Sequence, residues 1–485
     1  MTLVNGRMSC WKVLTERYKI IYKNGLNAKK QGDGQMKKVT FKGGVHPNDQ
    51  KQYSRDIPFS VYEPKGDLVF PVSQHIGAPA VPVVKKGDEV LAGQIIAEAG
   101  GFVSANIISS CSGKVKAIEK RTTATGVKVQ SIVIENDGEF RMVEGIGTEV
   151  DYKTLTKEEI LAKIKDAGIV GLGGAGFPTH VKLAPKNADT IEYVIANGAE
   201  CEPYITCDDQ LMRSAAEGIV TGMEIILSLF PNAEGVILIE ENKPEAIAAM
   251  EQACAKASRV RVLPVQTKYP QGGERSIITV VTGKHLKLGM LPADLGCVVD
   301  NVATIYAIYE AVCKSTPLMV KGLTVSGDAV KNPSNFKVRI GTSFTELVEA
   351  AGGIKEEKEL KKAICGGPMM GFAMANFEVP VQKSNNAITL LAYDDVEKAQ
   401  AQMTACLRCG RCNDACSLGL VPQMMAWAAE RKDYDRFENK LYGMECVACG
   451  SCTYVCPAKR PLMQLFKQTK AEIMAVKRAA QAAKK

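Results

Sequence analysis

The sequence predicts a multidomain α/β protein with a β-rich front, an α/β middle, a strand-pair-and-helix module and an α-helical cysteine-rich end. Three observations predict it. The chain has 485 residues, well past the roughly 250 at which a single hydrophobic core stops growing. Its patterning switches from short alternating runs before residue 140 to strand-then-helix units after 151. Eight of its 16 cysteines fall between positions 406 and 456. Apolar content of 46% and charged content of 24% belong to an ordinary globular protein and exclude collagen-like and disordered classes.

The ends come first. Residues 1–37 read as an extension, with Met36 before "KKVTFKGG" as a natural start. Met1–Lys38 holds nine Lys/Arg against Glu16 and Asp33, and the segment 461–485 reads as a basic helix. These ends are read as solvated, with contact to anionic lipid or an acidic partner as the alternative. The net charge of +8 is otherwise scattered, and no nucleic-acid partner is expected. No apolar run approaches the ~20 residues of a spanning helix. The longest candidate, 218–230, is broken by Glu224, so any membrane role is expected to be peripheral. The start lacks the apolar core of a signal peptide, and sixteen cysteines in such a chain suggest metal ligands rather than disulfides.

Residues 38–140, rich in Gly, Val and Ile, predict β structure. Residues 83–120 resemble the half-barrel repeat of biotinyl and lipoyl carrier domains, a barrel-sandwich hybrid. The tip that should carry a modified lysine reads "EAGGFVSA", so a scaffold or docking module is expected. His75 has no second ligand nearby and is read as structural.

From 141 to 315 an α/β domain is expected. "TKEEILAKIKDAG" is a helix with Ile160, Leu161 and Ile164 on one face and Gly168 as its stop. "TIEYVIANG" and "RVRVLPV" are strands, and 233–257 is a strand followed by a helix. Across 316–395, "LTVSGDAVKNPSNFKVRI" predicts a hairpin turning near Asn332–Asn335. A helix follows, with Ser343 and Glu346 as its capping box. This order resembles the SLBB β-grasp module, whose name implies a soluble ligand, with a structural spacer as the alternative reading here.

Residues 396–460 carry the strongest signal. Cys406, Cys409, Cys412 and Cys416 form C-x2-C-x2-C-x3-C, and Cys446, Cys449, Cys452 and Cys456 repeat it, followed by Pro457. This is the spacing of bacterial two-cluster [4Fe–4S] proteins, in which the fourth cysteine crosses to the other cluster. One cluster is therefore assigned to Cys406, Cys409, Cys412 and Cys456, the other to Cys446, Cys449, Cys452 and Cys416. Zinc sites pair C-x2-C knuckles instead. The long insert between the halves has helical patterning, so an α-helical ferredoxin-like module is expected.

"GLGGAGFPTH" (171–180) holds G-x-G-x-x-G, the dinucleotide fingerprint. Such a fingerprint should follow a strand, open a helix and meet an acid at the end of the next strand. Here a helix precedes it, Phe177-Pro178 follows at once, and Glu192 sits at a strand start. The segment is instead similar to the glycine loop of the NADH- and FMN-binding subunit of respiratory complex I. "NGAECEPY" (197–204), "YPQGGE" (269–274) and "VVDNVATIYAI" (298–308) resemble further segments of that protein, in order. Together with the two-cluster ending, "FKGGVHP" (41–47) and "QHIGAPAVPVVKKGD" (74–88) look like the RnfC family, from the Rnf complex, the membrane-bound ferredoxin:NAD oxidoreductase. That likeness covers nearly the whole chain after Met36.

The resemblance implies non-covalent FMN, NAD(H) and two [4Fe–4S] clusters. It implies that Gly171, Gly173, Gly174 and Gly176 approach the flavin through their backbone. Asn197, Glu200, Asn301 and Thr304 would bond FMN, and Tyr269 and Gly272 would line its pocket. Phe177 would stack on the nucleotide, unless it is core. Glu202 and Glu274 would bind NADH, and Lys284 is a further candidate for its phosphates. Leu172, His180 and Gly273 depart from the complex I pattern, so nucleotide contacts are expected to differ. Cys201 and Cys207 are read as buried hydrophobes, with redox activity as the alternative. The implied function is electron transfer between NAD(H) and ferredoxin with no general acid or base. Integral membrane and iron–sulfur subunits would be partners and ferredoxin an indirect one, with the chain at the cytoplasmic face of the membrane. A soluble cobalamin-reductase-like flavin reductase and a non-enzymatic electron relay are the rival readings.

Overall fold

A parallel four-stranded sheet lies at the centre of the chain, in the order Val260–Val265, Glu234–Glu240, Tyr193–Gly198, Cys297–Asn301. The computed structural model describes residues 39–482; the extension 1–37 lies outside these. The sheet is apolar on both faces, as parallel sheets flanked by helices must be. Val194, Ala196, Ile237, Ile239 and Val298 point into one core. Their alternate neighbours Ile195, Val236, Leu238 and Val299 point into another. Helices Lys157–Asp166, Ala216–Leu229, Pro244–Cys254 and Val302–Cys313 contribute to the first core, and Glu274–Thr282 to the second. Each such side chain contributes roughly 1.5–3 kcal/mol on burial.

The helix expected at 156–168 is Lys157–Asp166, opened by a capping box between Thr156 and Glu159. Ile160 and Ile164 are buried in it, while Leu161 packs half-buried against the same core. Gly168 ends it with φ +66°.

Ahead of this unit two small antiparallel sheets face each other. One runs Leu68–Pro71, Lys128–Asn136, Gly113–Thr122, Glu89–Val90; the other runs Val81–Pro82, Ile95–Glu98, Ile107–Ile108. Leu68, Phe70, Ile96, Ile107, Ile132 and Ile134 fill the space between them. His75 Nε2 lies 3.1 Å from the Ala105 backbone, in keeping with a structural histidine.

The β-grasp region is a six-stranded sheet: Phe59–Tyr62, Ser334–Arg339, Val320–Ser326, Ala387–Leu391, Lys362–Cys365, Phe372–Met374. Its first strand comes from the front of the chain and pairs in parallel with Ser334–Arg339. Two sequence expectations change because of it. The hairpin turns earlier than Asn332–Asn335, since Ser334 and Asn335 are already paired with Val325 and Thr324. Ser343 does cap helix Phe344–Ala350, accepting from Thr345 N. Glu346 does not complete a capping box; it accepts from Tyr62 Oη at 3.0 Å and Lys65 N at 2.8 Å. Donors from the strand and the turn after it take the carboxylate that a capping box would use.

Asn335 fixes this crossover. Its Oδ1 accepts from Thr206 Oγ1 at 2.9 Å and Thr324 Oγ1 at 2.8 Å. Its Nδ2 donates to Ser54 O and Ile57 O, both at 2.9 Å. Asn335 is fully buried, and it joins the front segment, the central α/β unit and the β-grasp sheet. Asn335→Ala removes one partner from each of four polar groups, of which Thr206 Oγ1, Thr324 Oγ1 and Ser54 O keep another and Ile57 O loses its bond. At about 1–3 kcal/mol per unsatisfied buried group, it is expected to lower the melting temperature of the whole chain by several degrees, read by scanning fluorimetry.

Candidate functional site

Strands in a parallel sheet present their ligands at the carboxyl edge, and the predicted residues gather there. Asn197 and Asn301 end neighbouring strands and face each other in register. Asn197 Nδ2 donates to Gly272 O at 2.9 Å. Asn301 caps helix Val302–Cys313 by accepting from Ala303 N, and its Nδ2 donates to Asp208 Oδ2 at 2.6 Å. Each asparagine therefore shapes the edge as well as belonging to it.

The glycine loop lies over Asn301. It is a closed turn, pinched where Val170 meets Pro178 and Gly171 N donates to Phe177 O at 2.9 Å. Thr304 Oγ1 accepts from Leu172 N at 2.9 Å and holds the loop down. A Cβ on Gly173 would sit 2.7 Å from the Asn301 side chain, whereas one on Gly174 meets nothing within 4 Å. The loop is thus anchored on one side and open on the other. Gly176 O accepts from Ile76 N at 3.2 Å, so the front β unit borders the loop. Phe177 is half-buried beside it.

Glu274 opens helix Glu274–Thr282 at the same edge. Its carboxyl is pushed up by desolvation and held down by Lys182, although the residue is water-exposed. A group both wet and surrounded by protein lines a cleft. Lys182 Nζ reaches Val299 O and Asp300 Oδ1, each at 2.8 Å. Asp300 is buried and its Oδ2 has no partner; nor have the side-chain nitrogens Gln74 Nε2, Gln271 Nε2 and His180 Nδ1, or Thr179 Oγ1. All five belong to segments that border the loop or the carboxyl edge, and such orphaned polar atoms fit a polar ligand. Lys182 and Asp300 escaped sequence reasoning, although an aspartate inside the apolar strand "CVVDN" was a signal.

Four predicted side chains are used otherwise. Glu200, at φ +47°, turns inward: Oε1 accepts from Asp208 N at 2.7 Å and Oε2 lies 3.8 Å from Lys51 Nζ. Burial raises its pKa and lowers that of Lys51. Glu202 accepts from Met369 N at 3.0 Å and Met370 N at 2.8 Å, tying the β-grasp region down. Tyr269 is buried and donates to Cys449 O at 2.7 Å. Lys284 lies at the opposite edge of the sheet, 3.4 Å from Glu192 and 3.2 Å from Leu295 O. The short motifs around these residues hold the loops in place; spacing alone does not show which way a carboxylate turns. Cys207 is buried, and Cys201 Sγ accepts from Gly272 N at 3.3 Å, as structural cysteines do.

The cysteines form two cavities. One is lined by Cys406, Cys409, Cys412 and Cys456. The other is lined by Cys446, Cys449, Cys452 and Cys416. Each cavity gathers three cysteines of one repeat and the fourth of the other. The two repeats share backbone geometry: Arg408 and Ala448 have φ +55° and +53°, and Gly410 and Gly450 +79° and +83°. Arg408 N points to Cys406 Sγ and Ala448 N to Cys446 Sγ, both at 3.4 Å.

Gly43 and Gly44 wedge between the sheet and the second cavity. Both have positive φ, and a Cβ would lie 2.6 Å from Cys416 O at Gly43 and 2.7 Å from Tyr269 O at Gly44. Gly44 N donates to Ala415 O, and Val45 exchanges two backbone bonds with Tyr269. Arg275 and Glu445 add an ion pair at 2.7 Å across the same junction.

A parallel α/β unit with a glycine loop at its carboxyl edge, joined to two four-cysteine cavities, defines an oxidoreductase of the flavin and iron–sulfur class. Residues 164–310 match the family model of the Nuo51 FMN-binding domain, 39–139 the RnfC barrel sandwich hybrid domain and 323–373 the SLBB domain. The chain is 45% identical over 434 residues to the C subunit of the proton-translocating ferredoxin:NAD(+) oxidoreductase complex of Clostridium ljungdahlii, covering 89% of this chain and 94% of that one. It is 41% identical over 443 residues to the Na(+)-translocating counterpart of Acetobacterium woodii, covering 91% and 99%. Against the C subunit of the ion-translocating oxidoreductase complex of Vibrio cholerae it is 40% identical over 402 residues, covering 82% of this chain and 51% of that longer relative. The chain belongs to the RnfC family, the C subunits of the ion-translocating ferredoxin:NAD(+) oxidoreductase (Rnf) complexes. No helix among the described residues is long and apolar enough to cross a membrane.

Two expectations follow. Gly173→Val, which drives its side chain into Asn301, is expected to lower flavin per chain severalfold, measured by absorbance after desalting. Burial lifts Glu202 to about 7 from 4.5, so the folded state holds that proton more tightly than the unfolded chain. This contribution to stability is full below about 4.5 and is lost as pH rises through 7. Glu202→Gln is expected to flatten the decline of melting temperature between pH 5 and pH 8.

Proposed function

We propose that this chain carries electrons between NAD(H) and the one-electron chain of an Rnf-type complex, through FMN and two [4Fe–4S] clusters. The two four-cysteine cavities, braced through Tyr269 and the Gly43–Gly44 wedge onto the carboxyl edge of the sheet, are the observation that carries this reading. FMN, held at the carboxyl edge by the glycine loop, would supply the junction between two-electron hydride chemistry and one-electron carriers.

The residues divide that work. The backbone of Gly171, Gly173, Gly174 and Gly176 would admit a flat ring without Cβ clash, with Asn197, Gly272, Asn301 and Thr304 holding the surrounding edge rigid. Phe177 and Glu274 would border the side left open for the nucleotide, where Lys182 tempers the charge of Glu274 and Asp300. Because Glu200 and Glu202 bind protein groups, nucleotide recognition falls to Glu274, Phe177 and backbone rather than to the "AECEP" acids. Cys406, Cys409, Cys412 and Cys456 would hold one cluster and Cys446, Cys449, Cys452 and Cys416 the other. The second lies behind Tyr269 and is the nearer to the sheet. The relatives are named as ion-translocating complexes, which supports membrane partner subunits that move the ion, with this chain peripheral at the cytoplasmic face.

Anaerobic preparations are expected to hold one FMN, eight irons and eight acid-labile sulfides, and to bleach when NADH is added. Eight irons without flavin would overturn the enzymatic reading in favour of a relay. Co-purification with integral membrane subunits separates it from a soluble reductase. Cys416→Ser is expected to remove the signal of the cluster bound by the later repeat, and Cys456→Ser that of the earlier one, read by EPR. The reverse pattern would overturn the crossed ligand sets.

A further inference from the structure

The two cysteine cavities differ in exposure. Around the second, Cys452 is buried, Cys416, Cys446 and Cys449 are half-buried, and Met463 and Phe466 help close it. Around the first, Cys406 and Cys409 are exposed. Leu407, which lines that cavity, is 63% exposed, and nearby Met403 is 53% exposed. An apolar side chain left in water beside a redox centre is a feature of contact surfaces.

The exposed charges around it are mostly positive. Arg408, Arg411 and Lys459 are exposed, and among the described residues none of them takes part in an ion pair. Arg460, which lines the cavity, is paired with Glu430. Across 404–416 and 456–461 the only acid is Asp414. Unpaired cations ringing an apolar centre steer an acidic surface into contact, and raise its rate of encounter in a salt-dependent way.

We propose that this face, centred on Leu407 with Arg408, Arg411 and Lys459 around it, is the docking surface for an electron-carrier protein whose own redox centre lies behind an acidic patch. The inference rests on the iron–sulfur reading of the cavities but not on NADH. On contact, one electron leaves the reduced cluster at Cys406–Cys456 and enters the oxidised carrier. The cluster is oxidised by one electron, the carrier is reduced by one, and no proton moves.

The test uses the full cluster-loaded chain, reduced with dithionite and freed of excess, so that it proceeds whether or not NADH delivers electrons. Two high-potential carriers serve as probes: plastocyanin, with an acidic patch, and mitochondrial cytochrome c, with a basic one. In stopped flow, oxidised plastocyanin is expected to react about tenfold faster at 20 mM than at 300 mM salt. Arg408→Glu/Arg411→Glu is expected to cut that rate about tenfold and to raise the rate with cytochrome c. Lys459→Glu, outside the cysteine repeats, is expected to act in the same direction. Calorimetric titration with both partners oxidised is expected to show plastocyanin affinity falling in parallel, while the EPR signals of both clusters stay unchanged. Equal rates in all variants, or equal slowing with both carriers, would overturn the proposal. So would loss of binding to phosphatidylglycerol vesicles with carrier rates unaltered, which would make the face a lipid contact.

Discussion

The hydrogen bond from Tyr269 to the carbonyl of Cys449 is the constraint on which the functional geometry depends. It joins the loop that follows an outer strand of the central sheet to the wall of a cysteine cavity. Tyr269 is buried and Cys449 half-buried, so the bond is only partly open to exchange with solvent. The Gly43–Gly44 segment packs against both sides of this junction at distances that no side chain would allow. A flavin-class edge and a cluster cavity that drifted independently would share no fixed electron path. Here the chain stitches them through backbone bonds, one phenol and the Arg275–Glu445 pair.

The carboxyl edge shows how a glycine loop is made specific by its supports. Thr304 and Asn301 anchor one side of the loop through Leu172 and Gly173, which leaves the backbone at Gly174 open. Below it, Lys51 donates to Glu202 O and Ile205 O, and Lys243 to Ala199 O. These buried ammonium groups brace the 199–206 loop, and the acids beside them compensate the desolvation of their charge. The loop carries its acids for architecture, and its position for function.

The β-grasp sheet is not self-contained. It borrows Phe59–Tyr62 from the front of the chain and is clamped by Glu202 through the amides of Met369 and Met370. Asn335 satisfies all of its hydrogen-bonding groups across three regions at once. The module therefore acts as a brace between the barrel-like front, the α/β centre and the cysteine-rich end. A spacer role needs no ligand to explain this packing.

The sequence by itself determined the order of the modules, the helix ending at Gly168, the buried strands of the sheet and the two four-cysteine repeats. Each of these is local or periodic: an apolar face and a glycine stop, alternation along a strand, or a fixed cysteine spacing. Likeness to known segments pointed to the glycine loop, Asn197, Gly272, Asn301 and Thr304 as one group, and the fold brings them together at the carboxyl edge of the sheet. Only the tertiary structure decided that Glu200 and Glu202 turn to protein groups, that Tyr269 reaches Cys449, and that Lys284 sits at the far edge of the sheet. It also decided the use of Gly43–Gly44, Lys182 and Asp300. The physical reason is that a side chain's partner is set by whatever the fold brings within 3 Å of it. For these residues that partner lies tens to hundreds of positions away in the chain.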